Sequence, residues 1–217
     1  MNDLDIQIEV TDSDNPSPKP PVQPSDDVKA LIRTKFRDIA LMALPLIGLP
    51  NPAFKNYKLR FEIESTINPG NDRGPFTFVP VDTTVVILLP DYKCINYSEE
   101  SWDFKNTLHQ LAHECVHAFG PPLRIPLTIL EEGMAAYFSD YYAQSLSINL
   151  RQHPCSNHEK AKYAVRDLLD MKATVITELR INNPQLRISQ ITEDMLRNAC
   201  PSITDSLAQL LASEFKK

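Results

Sequence analysis

The order of its sequence patterns gives this chain an expected α+β fold. One helix pattern comes first, three strand-like runs lie between residues 57 and 89, and from residue 101 the patterns are helical to the end. Such strands would form a small mixed or antiparallel sheet beside a helical part. At 217 residues the chain supports one domain with a tail and can bury a substantial core. We place the domain at residues 28–217 and a flexible, acidic and proline-rich segment at residues 1–27.

That segment holds Asp12, Asp14, Pro16, Pro18, Pro20, Pro21 and Pro24, the composition of a tail or linker. Its start, Met1-Asn2-Asp3-Leu4-Asp5-Ile6, is acidic and does not read as a signal peptide. Asp26-Asp27 then opens a helix over about 27–44. Residues 39–50 are apolar but broken by proline and too short to span a membrane, so they read as a buried helix end. Residues 57–64 alternate as a half-buried strand does. Asn68-Pro69-Gly70-Asn71 and Gly74-Pro75 are turn material, and residues 76–79 and 83–89 supply two further strands. Residues 101–119 carry Leu108, Leu111, Cys115, Val116 and Phe119 at helical spacing, and Gly120-Pro121-Pro122 stops that helix. Another helix begins near Ile129, a third runs over about 158–179, and one or two more precede Lys217.

Net charge is −6, so no basic patch recommends nucleic acid or an anionic membrane as a partner. The four cysteines, Cys94, Cys115, Cys155 and Cys200, are widely spread and form no C-x-x-C. Reduced thiols fit a cytoplasmic protein better than a disulfide framework.

The chemistry concentrates in His113-Glu114-Cys115-Val116-His117, the H-E-x-x-H pattern of zinc peptidases. On a helix, residues four apart share a face, so His113 and His117 can offer imidazoles to one Zn2+ ion. Glu114 sits one residue round from the first ligand, close enough to act on a water without binding the metal. Zinc acidifies water and polarises a carbonyl, and the carboxylate takes the proton as water attacks. Cys115 points off this face and reads as a small core residue.

Two families fail on the third ligand. Gly120 stands at the metzincin glycine, but Leu123 occupies the place of the third histidine and cannot ligate. Cys94, within Asp91-Tyr92-Lys93-Cys94-Ile95-Asn96, does not match a peptide-deformylase segment. Downstream of the first motif stands Ile129-Leu130-Glu131-Glu132-Gly133-Met134-Ala135-Ala136. It resembles the second zinc-binding helix of the gluzincins, the thermolysin-like peptidases, in which a glutamate before glycine or alanine is the third ligand. The resemblance covers roughly residues 102–142 and implies Glu132 as that ligand, with Glu114 as general base. It also implies a zincin-like core, its sheet packed on the H-E-x-x-H helix, with a helical C-terminal part after it. The implied activity is zinc-dependent hydrolysis of peptide bonds in a peptide or protein substrate. Residues 83–89 would be either the substrate-pairing edge or a central buried strand. The alternative is a regulatory protein that keeps the zinc helix pair and binds one dedicated partner.

The remaining candidates carry weaker signals. Glu131 and Glu132 point about 100° apart on a helix, so only one is expected to face the zinc helix. Glu131 would then reach solvent or cap the helix start. Ala135 and Ala136 are small enough to let the two helices close on a metal. His109, one turn before His113, reads as a packing residue or as a donor beside the site. Asp140 could orient a ligand histidine, although the thermolysin-like second aspartate position is Ala136 here. The family also needs a tyrosine or histidine to stabilise an oxyanion, for which Tyr141, Tyr142, His153, His158 and Tyr163 are candidates.

Overall fold

The computed structural model describes residues 8–12, 26–48, 58–64, 76–78, 84–90, 102–120, 126–147 and 156–216. Of residues 8–12, 26–29, 58–64, 76–78, 84–90, 102, 103 and 156 only the backbone is described. The helices are α1 (Asp26–Ile47), α2 (Trp102–Ala118), α3 (Ile129–Ser145), α4 (Ser156–Met171), α5 (Val175–Asn182), α6 (Glu193–Ala199) and α7 (Asp205–Ala212). A single 3-10 turn, Ile188–Gln190, stands between α5 and α6.

The expected α+β core is corrected by the way the helices bury their apolar faces. Of the residues described with their side chains, 77% are helical and none lies in a strand. Ile32, Phe36, Ile39, Ala40, Ala43 and Ile47 form one stripe along α1, and all are buried. They join Phe104, Leu108, Leu111, Cys115 and Val116 of α2, and Phe119 just after it, in a single cluster with Leu130, Met134, Ala135 and Phe138 of α3. Helical periodicity specifies that a face is buried but not what covers it. Among the residues described with their side chains, helices cover it. Strand backbone occurs at β1 (Ile8–Asp12), β2 (Lys58–Glu64), β3 (Phe76–Phe78) and β4 (Thr84–Pro90), ordered β1-β2-β4-β3. The β1–β2 and β2–β4 pairs are parallel and β3–β4 is antiparallel.

The apolar run over residues 39–50 is a buried helix end through Ile47. Gly48 terminates α1 in the left-handed conformation, with φ 75° and its N–H donating to the Leu44 carbonyl at 2.9 Å. Among the described residues no helix is long and apolar enough to cross a membrane. The helix expected over 158–179 is two helices, parted at Lys172-Ala173-Thr174. That break lets Val175 and Ile176 turn into the core, both fully buried.

A buried guanidinium fixes the helix ends. Arg180 donates to the carbonyls of Phe119 at 3.1 Å and Leu186 at 3.3 Å, and makes a short bond to Ile47. It thereby satisfies the ends of both α1 and α2. Burial lowers its pKa to about 10, against the opposing charge of Glu131. The C-terminal end of the H-E-x-x-H helix is thus held from the helical half of the chain.

Candidate metal centre

Helix α3 starts where its sequence says it should. Thr128 is the N-cap, its hydroxyl accepting from the Glu131 N–H at 3.3 Å, and the two glutamates occupy the positive end of the helix. α3 runs antiparallel to α2, and three histidines of α2 each meet a carboxylate of α3. His109 Nε2 lies 3.1 Å from Asp140, His113 Nε2 3.4 Å from Glu132, and His117 Nδ1 2.9 Å from Glu131.

His113, His117 and Glu132 form the one group of potential ligands found among the described residues, with one atom from each lying within 4.8 Å of the others. The two imidazoles bring their Nε2 atoms to 3.3 Å. Glu132 Oε2 lies 3.9 Å from His117 Nε2 and 3.5 Å from His158 Nε2. This oxygen is buried, yet no hydrogen bond reaches it from any described residue. A buried carboxylate oxygen without a partner costs about 1–3 kcal/mol or more. Two imidazole nitrogens and a carboxylate oxygen are also a donor set suited to zinc. The residues therefore fit a divalent zinc ion.

Electrostatics agree with that fit. Burial pushes the Glu132 carboxyl up, but the imidazoles of His113 and His158, with the charge on His117, hold it well below the usual carboxylate range. Burial of His117 works against its charge. The hydrogen bond and charge of Glu131, then the charges of Glu114 and Glu132, overcome it and raise the pKa to about 9. Glu114 is itself buried, and its charge acts on His117. Cys115 is also buried and free, with burial pushing its thiol up, and it belongs to the core as expected.

Glu131 departs from its expected place. It is 3% exposed, so it neither reaches solvent nor bonds back to the helix start. One oxygen takes His117 Nδ1; the other accepts from the Ser189 N–H at 3.1 Å and makes a short bond to the Ser189 hydroxyl. Both adjacent glutamates face α2 because the His117 ring stands between them, offering Nδ1 to one and Nε2 to the other. That arrangement has the Nδ1–H donate to Glu131 and leaves Nε2 directed at the centre. Asp140 does not orient a ligand. It bonds His109 and takes Lys162 at 2.6 Å, which together with His109 lower its pKa against the effect of burial.

Of the oxyanion candidates, Tyr142 is buried in the helical core beside Phe138, where burial raises its pKa to about 12. Tyr141 and Tyr163 are exposed, and His153 lies outside the described residues. His158, at the start of α4, is the one that reaches the centre. Gly133 explains how it gets there. A Cβ at Gly133 would stand 2.6 Å from Val165 Cγ2 and closer still to the Ala161 carbonyl oxygen. The glycine after Glu132 therefore admits α4 against α3. Ala135 is fully buried and Ala136 is half-buried.

Comparison with protein-family models, with curated proteins and with solved structures finds no match.

Proposed function

We propose that this protein is a zinc-dependent peptidase with a gluzincin-type ligand set. The observation that carries the reading is Glu132 Oε2, buried without a hydrogen bond while the Nε2 atoms of His113 and His117 face it. His113, His117 and Glu132 would hold the ion. When bound, zinc supplies Lewis acidity, lowering the pKa of water and polarising a substrate carbonyl. Glu131 accepts from the His117 Nδ1–H, so the ring offers its other nitrogen. Glu114 is the general base and later returns the proton to the leaving amine. His158, 34% exposed and beside Glu132, lies where a partly open side of the centre can meet the oxygen of a substrate carbonyl. The substrate class is a peptide or protein, and the wide spread of the cysteines, with Cys115 and Cys200 free, favours a cytoplasmic setting.

Metal analysis of the purified protein together with digestion of an unbiased peptide library tests this reading. About one zinc per chain and cleavage abolished by a chelator are expected. Glu114→Gln should keep zinc and fold while cutting hydrolysis by about 10²–10⁴-fold, the usual worth of a general base. Equal cleavage by wild type and Glu114→Gln would end the peptidase assignment, and a protein that takes up no zinc would end the metal assignment.

A further inference from the structure

We propose that Phe215 is a positioning residue for His158, so that the extended segment 213–216 is a working part of the centre. The proposal rests on reading His113, His117 and Glu132 as a metal site. His158 lies outside that three-residue group, whose ligand atoms are mutually close, and meets it at Glu132, 3.5 Å away, and edge-on at the His113 ring, 6.1 Å between centroids. Its side chain is 34% exposed on the first turn of a helix. An imidazole in that position has alternative rotamers in water, and the one adopted points Nε2 at Glu132.

Segment 213–216 supplies the restraint from two directions. Towards α3 it forms a short antiparallel ladder: Phe215 N–H donates to the Leu127 carbonyl at 2.8 Å, and Ile129 N–H donates to the Ser213 carbonyl at 2.9 Å. Thr128 and Glu214 are the bridged pair, and Thr128 is the cap of the helix that carries Glu131 and Glu132. Towards α4, the Asn157 side-chain amide donates to the Lys216 carbonyl at 3.1 Å. Between these bonds the Phe215 ring lies 4.8 Å from the His158 ring, centroid to centroid, tilted by 55°. That geometry is a favourable aromatic contact. One short segment therefore joins the start of the helix presenting Glu132 to the start of the helix presenting His158.

The test uses the full chain with Phe215→Ala, Phe215→Leu and Phe215→Tyr, reading the His158 imidazole resonances by NMR in the metal-free protein. Zinc affinity and kcat are measured in parallel. Phe215→Ala and Phe215→Leu should move the His158 resonances and lower kcat by about 10–100-fold, the usual cost of losing a residue that orients a site group. Zinc affinity should stay within a few-fold, and Phe215→Tyr should restore the rest. In a His158→Ala background, Phe215→Ala should lower kcat no further, because the two residues act in series. Unmoved His158 resonances in Phe215→Ala would overturn the proposal. So would full restoration by leucine, which fills space without a ring, or additive losses in the double variant. A wild-type protein that binds no zinc would instead remove the metal reading. The metal-free resonances would still decide whether Phe215 holds His158.

Discussion

The two outer pairs between α2 and α3 are closed, and the middle one is open. His117–Glu131 and His109–Asp140 are hydrogen-bonded at 2.9 and 3.1 Å. His113–Glu132, between them, stands at 3.4 Å with the carboxylate oxygen unbonded. All three are an imidazole facing a carboxylate, so chemistry alone does not separate them. The difference is whether a second partner completes the carboxylate. Ser189 completes Glu131 and Lys162 completes Asp140. Glu132 has histidines around it, each at non-bonding distance or geometry, which is an arrangement a cation completes. A bonded pair holds a ring in place, whereas an unbonded pair leaves its electrons for a metal.

The middle pair offers the largest effect. Glu132→Gln should lose most zinc affinity and all peptide hydrolysis, since the amide keeps the shape and removes the charge. Zinc retained at wild-type level by this variant would place the third ligand elsewhere. His113→Ala and His117→Ala should likewise lose zinc, and the stabilisation that bound metal gives the folded state should vanish from their melting curves.

The closed pair His117–Glu131 comes next. Glu131→Gln leaves Ser189 a partner but weakens the hold on the His117 Nδ1 proton. Zinc affinity should fall by about 10–100-fold with the fold intact. Titration of the metal-free variant against a competing chelator measures this, and a change below about threefold would make Glu131 a packing residue only. The closed pair His109–Asp140 should matter least. Asp140→Asn is expected to leave zinc affinity within about twofold and to cost no more than about 1 kcal/mol, as partly exposed ion pairs do.

Asp140 also supplies a pH dependence. Its folded pKa is lowered, so its contribution to stability is present above the ordinary carboxylate range and is lost as pH falls through the folded value. Acid titration of wild type against Asp140→Asn should therefore show the two stabilities converging at low pH. A gap that widens on acidification would reverse the assigned direction.

Three site residues are legible in the sequence because their geometry is local. Four-residue spacing puts His113 and His117 on one face, and Glu114 is placed by that same face. Glu132 is legible through its glycine, although the glycine's packing role concerns α4 rather than α2. The partners of these residues are not legible. Ser189 lies 58 positions from Glu131, and no periodicity links a 3-10 turn to a helix start so far away. Glu131 itself is misplaced by the sequence for a different reason. The angle of about 100° between helix neighbours excludes one of them only if the target is a point, and an imidazole has two edges. The fold class fails for a related reason. The stripes on α1 and α2 are visible, yet a stripe does not name the surface it meets.

The bond from Glu131 to Ser189 has a consequence for how the protein comes into being. A chain released from the ribosome in order has His113, His117 and Glu132 available long before residue 189 emerges, and longer still before Phe215. At about 5–20 residues per second the interval lasts several seconds. During it the ligands are present, but His117 lacks the completed acid that fixes its ring. Nascent chains stalled before and after residue 189 should therefore differ in zinc uptake, and a centre already at full affinity in the shorter chain would contradict this. A centre wired in this way is completed only after the last of its supporting residues has been made.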